Sequence, residues 1–415
     1  MGESLDVYLN DALAGILRQA HGRLAFGYNE AWTTSKAFVP LSITMPPRTG
    51  EYPDEIARPF FENLLPEGEI RAAIAKLSQV SEQNTFGLLE KIGGDCAGAV
   101  SLRPHGEVLR AIHGYAPIRD EHLNEILAQL EKRPLIVMDG QARLSLAGAQ
   151  NKLPVYYDGT QIFLPRGISP SSHILKPGSR GYEHMPINEH FCMRLAHSLG
   201  MLVPTPEILR KPGALYLVAR YDRKPDEAGS IKRIHQIDFC QALNLPSSRK
   251  YEKEGGPSLE QCFELMARES AQPAADRLRL IDWVAFNFLV GNADAHGKNL
   301  SLLITPDGVR MAPFYDLIST IVYPNLAATM AMKIGGENRP YWIQERHWDA
   351  FAEKSGANPR FVKGRLKELS ATIVAASENL LHELKATPDE IAMLGKICAE
   401  IAKRAKRLSE LHGKK

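Results

Sequence analysis

The 415-residue sequence lacks paired cysteines, a charge imbalance and any long apolar run. Its cysteines (Cys96, Cys192, Cys240, Cys262 and Cys398) are odd in number and scattered with no Cys-x-x-Cys spacing, which excludes a disulfide scaffold or a zinc ribbon and fits reduced, mostly buried thiols. Lys and Arg number 50 against 48 Asp and Glu, a formal net charge of +2. No global field therefore directs the chain to nucleic acid, although a local basic face is compatible with that total. No stretch approaches the ~18 uninterrupted apolar residues of a membrane-spanning helix, and Met1-Gly2-Glu3-Ser4-Leu5-Asp6 is not a basic segment followed by an apolar one. The expectation is a soluble, cytoplasmic protein with no membrane partner. Single cores rarely grow past ~250–300 residues, so two or three domains are expected. Gly93-Gly94-Asp95-Cys96-Ala97-Gly98-Ala99-Val100 is glycine-rich, but no Lys-Ser/Thr follows its last glycine, so it is not a Walker loop.

The residues that carry chemistry gather between Asn292 and Asp316. Asn292-Ala293-Asp294-Ala295-His296-Gly297-Lys298-Asn299 is followed by short apolar runs, 300–304 and 309–313, around Thr305-Pro306-Asp307-Gly308. Asp-Gly between apolar runs signals a hairpin. With Asp307-Gly308 as a two-residue loop, Pro306 faces Val309, and counting outward sets Asn299 opposite Asp316. Directly paired residues lie ~5 Å apart at Cα, so an amide oxygen and a carboxylate would meet at the open end. Two hard oxygen ligands suit Mg²⁺, which completes its shell with water and phosphate. Asp294 then lies in the loop entering the hairpin, placed to accept a hydroxyl proton, and Lys298 stands beside it to neutralise phosphate charge. Asp-x-x-x-x-Asn followed by a metal-binding Asp is the spacing of a protein-kinase catalytic loop and its magnesium aspartate. Taken singly, each of these residues reads as well as a turn residue or cap; the register is what joins them. Asp238-Phe239-Cys240 looks like the kinase Asp-Phe-Gly but precedes the loop, and is set aside in favour of Asp316.

Along the rest of the chain, residues 5–9 and 24–28 alternate like strands, with polar or glycine-containing segments between them. Phe60-Phe61 reads as core, followed by a helix over 69–77. Residues 1–115 thus form a small α+β domain whose use is packing or partner contact. A short helix near 121–132 leads to Arg143-Leu144-Ser145-Leu146-Ala147-Gly148-Ala149-Gln150-Asn151-Lys152 and a hairpin, 153–157 with 161–164, turned by Asp158-Gly159-Thr160. A small-residue loop lets backbone N–H groups approach phosphate, and such turns also occur without any ligand. His173-Ile174-Leu175-Lys176 ends an apolar run in lysine, either a phosphate-holding strand lysine or one that snorkels into water. A helix over 187–199, closed by Gly200, offers Glu189 as a partner for Lys176. A further hairpin, 207–210 with 215–218, ends in Ala219-Arg220-Tyr221, where a kinase hinge would meet adenine through its backbone. Residues 277–290 are apolar on nearly all sides and predict a buried helix, a rigid mount for the loop at Asn292. Thr387-Pro388-Asp389-Glu390 carries an N-cap, Pro at the first helical position and a capping-box Glu. It opens a long helix whose Lys403, Arg404, Lys406 and Arg407 read as solvated, dipole-facing charges, with phosphate-backbone contact the lesser reading.

In this order, Ser145-Leu146-Ala147-Gly148-Ala149-Gln150-Asn151-Lys152, the Lys176 strand, Leu245-Pro246-Ser247-Ser248-Arg249-Lys250-Tyr251-Glu252, Asn292 to Asn299 and Pro313-Phe314-Tyr315-Asp316 resemble the HipA serine/threonine kinase toxins of bacterial toxin–antitoxin modules. The resemblance spans nearly the whole chain. It implies an α+β, two-lobed protein-kinase-like fold: an extra N-terminal α+β subdomain (1–115), a kinase-like N-lobe (141–245) and a mostly helical C-lobe (246–415). It implies that Asp294 is the catalytic base and that Asn299 and Asp316 bind Mg²⁺. ATP would be surrounded by Ala147, Gly148, Ala149, Gln150, Asn151, Lys152, Lys176, Ala219, Arg220, Tyr221, His296, Gly297, Lys298, Asn299, Tyr315 and Asp316. Ser145 matches a serine that such kinases autophosphorylate to switch themselves off, since a dianion in the phosphate cradle repels ATP and competes for Lys176. The resemblance further implies an aminoacyl-tRNA synthetase as substrate (glutamyl or tryptophanyl type), a HipB-like helix-turn-helix antitoxin as partner, and operator DNA reached mainly through that antitoxin. Two departures stand out. Ala219 replaces an acidic hinge residue of the founding member, and Gly291-Asn292-Ala293 supplies no His-Arg pair to support Asp294.

Two rivals share these residues. A small-molecule kinase uses the same lysine, base and metal ligands, and a non-catalytic, kinase-shaped co-repressor would need only the surface. The intact set Lys176, Asp294, Asn299 and Asp316 favours an active enzyme.

Overall fold

The computed structural model of the chain describes residues 3–107, 113–130, 137–138, 141–142, 150–179, 181–211, 213–226 and 230–411. The chain forms two compact units. The first comprises Met1–Pro177, Arg210–Ser248 and Leu302–Gly308, and the second Gly178–Leu209, Arg249–Ser301 and Val309–Lys415. Among the described residues, no helix is long and apolar enough to cross a membrane.

The first unit opens on a five-stranded sheet with the order Glu51–Tyr52, Arg23–Tyr28, Ala12–Ala20, Glu3–Leu9, Val100–Pro104. Alternation builds it: Leu5, Val7, Leu9, Leu17, Leu24 and Phe26 are all buried, as expected for a sheet with one face in the core. The middle strand, Ala12–Ala20, lies within a stretch that had shown no strand pattern, and it pairs with both flanking strands. Gly15 explains both its weak signal and its place. A Cβ there would come 2.3 Å from the Gly27 carbonyl oxygen, and the register slips by a bulge between Val7 and Tyr8 opposite this point. Phe60 and Phe61 of the Asp54–Glu62 helix are core residues, with Phe61 5.7 Å from Phe26 between ring centroids. Full burial of each such ring is worth about 1.5–3 kcal/mol.

The second sheet of this unit runs, through antiparallel pairs, from Ala214–Ala219 to His173–Lys176, Leu153–Tyr157, Ile162–Gly167 and His113–Pro117. The 153–157 hairpin forms where the alternation placed it. Asp158 Oδ1 closes its turn by accepting from the N–H groups of Thr160 and Gln161 at 2.8 and 2.7 Å, the local bonding for which Asp is favoured in turns. Asp238 turns out to be a cap: its side chain accepts from Gln241 N–H at 2.8 Å and opens the Phe239–Ala242 helix as a capping box.

The second unit is mostly helical, with the helices Met185–Ser198, Leu259–Glu269, Pro273–Val290, Glu345–Lys354, Pro359–Glu383 and Pro388–Leu411. Trp283, Phe286, Phe288, Trp348, Ile373, Leu394 and Ile401 fill its core. Pro273–Val290 is buried along most of its length, begins four residues earlier than its apolar pattern, and ends at Gly291 with φ +72°. Glycine suits that left-handed cap, and any Cβ there would meet Ile321 Cγ2 at 2.8 Å. The same helix grips the strand Gly308–Met311. Buried Asp276 accepts from Arg310 Nε (3.0 Å), Met311 N–H (3.1 Å) and the Ser270 hydroxyl (2.7 Å). Burial by itself would raise the Asp276 carboxyl, but these bonds outweigh it and hold it below the usual carboxylate range.

Candidate active site

The loop after Gly291 is braced from both sides within the second unit. Asn287, in the last turn of the buried helix, donates to the Trp283 carbonyl oxygen at 2.8 Å and accepts from Asn292 Nδ2 at 2.8 Å. Asn292 Oδ1 in turn accepts from the Asp294 N–H at 3.0 Å, while the Ala293 N–H donates to Thr320 Oγ1 at 2.7 Å. Asn292 thus fixes the backbone that carries the aspartate. Asp294 presents its carboxylate outward, with a side chain 52% exposed. Tyr251 donates its hydroxyl to Asp294 Oδ1, and His296 Nε2 lies 4.0 Å from the same oxygen. The Tyr251 and His296 rings meet edge to face at 5.1 Å.

Gly297–Asn299 then makes a single tight turn, started by the Gly297 N–H donating to the Lys250 carbonyl oxygen at 3.2 Å. Lys298 and Asn299 are buried. The Tyr315 hydroxyl lies 2.6 Å from both the Lys298 carbonyl oxygen and Ser301 Oγ. A phenol has one proton to give, so Tyr315 donates to the carbonyl and accepts from Ser301. Asn299 Oδ1 is buried and has no hydrogen-bond partner among the described residues. Leaving such an oxygen unpaired costs about 1–3 kcal/mol, a cost that a cation would remove. A hard amide oxygen aimed at no protein donor, with the carboxylate of Asp316 seventeen residues on in sequence, fits a magnesium ion, which accepts few protein ligands. Asp316 sits at φ +53°, in the left-handed region that only a small fraction of non-glycine residues adopt.

The hairpin between these residues departs from its expected register. The strands are Ser301–Thr305 and Gly308–Met311, so the turn residues are Pro306 and Asp307, one position earlier than the Asp-Gly signal indicated. The Ala312 N–H donates to the Ser301 carbonyl oxygen at 2.8 Å, and continuation of that register faces Asn299 with Phe314, not Asp316. Proline favours the second position of a turn and glycine the fourth, and Thr-Pro-Asp-Gly satisfies both. Asn299 and Asp316 are therefore not ladder partners; the left-handed backbone at Asp316, beyond the strand, sets the direction of its carboxylate.

In the first unit, Lys176 ends the strand His173–Lys176, opposite Tyr216, with Nζ 5.5 Å from that ring's centroid. Only 4% of the residue is exposed, which overturns the snorkelling alternative. Glu189 is buried in the Met185–Ser198 helix of the second unit. Gln150, Asn151 and Lys152 are half-buried at the approach to the Leu153–Tyr157 strand. Ser145, Ala147, Gly148 and Ala149 lie outside the described residues.

The segment after Ala219 carries a feature no motif announced. Arg220 is buried against Asp222, with Nε to Oδ1 at 2.9 Å and Nη2 to Oδ2 at 2.7 Å. Arg223 reaches the Gly98 carbonyl oxygen at 2.9 Å, and the Gly98 N–H returns to Asp222 Oδ2 at 2.8 Å. Asp95 completes the set, 3.5 Å from Arg223 and 3.3 Å from Arg233. Burial would raise the Asp222 carboxyl, but Arg220 and Arg223 hold it well below its ordinary value, while burial lowers Arg223 to about 10. The glycine-rich run 93–100 thus serves as an anchor for residues 220–223. The Arg220 guanidinium is committed here, and the Tyr221 hydroxyl donates to Gln236.

Comparison with known proteins agrees with this architecture. Residues 144–377 match the family model described as HipA-like C-terminal domain, and residues 5–103 match that of the HipA N-terminal domain. Y4mE of Sinorhizobium fredii, which carries a kinase name, is 39% identical over 409 residues, 97% of each chain. The serine/threonine-protein kinase toxin HipA of Shewanella oneidensis is 32% identical over 421 residues, covering 97% of this chain and 95% of that protein. The structure of the Shewanella oneidensis HipA, HipB and operator DNA complex superimposes with a TM-score of 0.86 at 31% identity, over 99% of this chain and 100% of that one. The class is therefore a protein kinase with an α+β, kinase-like fold and an additional N-terminal region. The chain belongs to the HipA family of serine/threonine kinase toxins.

Proposed function

We propose that this chain transfers the γ-phosphate of Mg-ATP to a serine or threonine of a target protein, as the toxin of a toxin–antitoxin module. The observation that carries the reading is the divided chemistry of one braced loop: Asp294 is open to an incoming hydroxyl, while the Asn299 side-chain oxygen, five residues on, is buried and unpaired. Asp294 takes the acceptor's proton as the acceptor oxygen attacks the γ-phosphorus, and the bond to the ADP oxygen breaks with its electron pair leaving on ADP. Asn299 and Asp316 would hold the magnesium ion, which neutralises charge on the transferred group. Lys176, the 147–152 loop, the 219–221 backbone, His296, Gly297, Lys298 and Tyr315 would bind ATP. Residues 1–115, 141–245 and 246–415 correspond on this reading to an N-terminal subdomain, an N-lobe and a C-lobe.

The family points to an aminoacyl-tRNA synthetase as target, to translation arrest in the cytoplasm, to phosphorylation of Ser145 as the off switch, and to co-repression with a HipB-like antitoxin on operator DNA. The test is mass spectrometry of wild type and Asp294→Ala after incubation with Mg-ATP and cell lysate. Phosphate on Ser145 and on one lysate protein, with wild type only, is the expected result. Modification of a small molecule alone would remove the toxin assignment but leave the kinase. No modification at all would leave the co-repressor role as the function.

A further inference from the structure

Asp294 is half exposed in a loop, and a carboxylate so placed rotates unless something holds it. The residue that holds it comes from a distant part of the chain. Tyr251 donates its hydroxyl to Oδ1, and among the described residues no group donates to Oδ2. The phenol is itself fixed. Its ring stands edge-on to His296, whose side chain is 9% exposed. Its backbone carbonyl oxygen accepts from the N–H groups of Glu254 and Gly256, both at 2.9 Å. A Cβ at Gly256 would lie 2.6 Å from the Arg249 carbonyl oxygen and 2.7 Å from that of Tyr251, so the turn tolerates only glycine there. The next residue, Glu252, is tied to Lys333 by its backbone N–H at 2.6 Å and its ammonium at 3.5 Å.

From this geometry we infer that Tyr251 is a positioning residue for the phosphoryl-transfer step: it occupies Oδ1 of Asp294, fixes the carboxylate plane, and leaves Oδ2 to take the acceptor's proton. The inference rests on the kinase reading above. It also accounts for the missing His-Arg pair, because the backbone of the loop is held by Asn292 and its carboxylate by Tyr251.

The test uses the full chain with Mg-ATP and casein as a serine/threonine acceptor, and follows ADP release. Tyr251→Phe keeps the ring against His296 and removes only the hydroxyl. The expected result is a kcat lower by about tenfold or more, since small misplacements of a reacting group are costly, with KM for ATP and Tm unchanged. In an Asp294→Asn background the same substitution has no further effect, because the two residues act as one unit. A merely structural tyrosine would instead lower Tm and weaken both backgrounds alike. If Asp294→Asn abolishes turnover and Tyr251→Phe matches wild type, the inference falls and the kinase reading stands. If Asp294→Asn turns over like wild type, or wild type releases no ADP, the kinase reading falls and takes the inference with it. A rise in kcat for Tyr251→Phe overturns the inference in another way, by making Tyr251 a plug in the acceptor's seat.

Discussion

Replacing Asp222 by asparagine tests whether the buried charge network holds the segment after Ala219. Three guanidiniums (Arg220, Arg223 and Arg233) share two carboxylates (Asp95 and Asp222), a formal charge of +1 that the substitution raises to +2. An amide is isosteric, but either way round it turns an NH₂ towards Arg220, whose Nε and Nη2 each donate to a different Asp222 oxygen. The substitution thus leaves a buried donor facing a buried donor. Removing one partner of a buried pair costs about 3–5 kcal/mol, and at roughly 2–4 °C per kcal/mol for a unit of this size the Tm falls on the order of 10 °C. Tryptophan fluorescence is a poor monitor, since three of the four tryptophans (Trp283, Trp342 and Trp348) belong to the other unit. Hydrogen exchange by mass spectrometry across the strand Ala214–Ala219 is the direct readout, with faster exchange expected there first. The exposed pair Lys211–Asp120, at 2.9 Å with side chains 43% and 62% exposed, is the control; Asp120→Asn costs less than about 1 kcal/mol. The Asp222 pKa is depressed in the folded state, so its contribution is complete above the ordinary carboxylate value of ~3.9 and is lost as pH falls below it. Wild type and variant therefore converge only in strong acid. A Asp222→Asn protein within about 0.5 kcal/mol of wild type at neutral pH would refute the reasoning.

Two further outcomes are expected. Burial lowers His235 to about 4, with Nε2 2.8 Å from the Leu41 carbonyl oxygen. The unfolded chain takes up its proton near 6.5 while the folded one does not, so stability is full above pH 6.5 and falls by up to about 3 kcal/mol as pH approaches 4; in urea titrations from pH 8 to 4, His235→Gln should flatten that slope. Asn299→Ala removes the orphaned oxygen, so Tm should stay within the equivalent of about 1 kcal/mol while Mg-dependent phosphorylation falls at least about 100-fold; a large loss of Tm, or retained turnover, would mean that this oxygen is structural and not a metal ligand.

Strong local rules were legible in the sequence. The buried helix before Asn292, the Leu153–Tyr157 hairpin with its Asp158 turn, and the Thr387 capping box, with the Thr387 N–H donating to Glu390 at 2.7 Å, follow from periodicity and short-range bonding. The strand Ala12–Ala20 was not legible, because a glycine that lowers strand propensity is required there by a neighbouring strand's carbonyl. The hairpin turn was off by one, since Pro306 and Gly308 together outrank the Asp-Gly pair.

By itself the sequence determined which residues can do the chemistry, because residue type and spacing decide which oxygens, amines and acids exist and in what order. It also determined the buried helix that mounts the Asp294 loop. Only the tertiary structure decided which groups are constrained: Asn299 Oδ1 left unpaired in the interior, Lys176 drawn in beside Tyr216, and Asp222 locked between Arg220 and Arg223. Tyr251 was brought to Asp294 across 43 residues of chain. Burial and hydrogen-bond partnership are properties of what folds around a residue, and no local spacing encodes them.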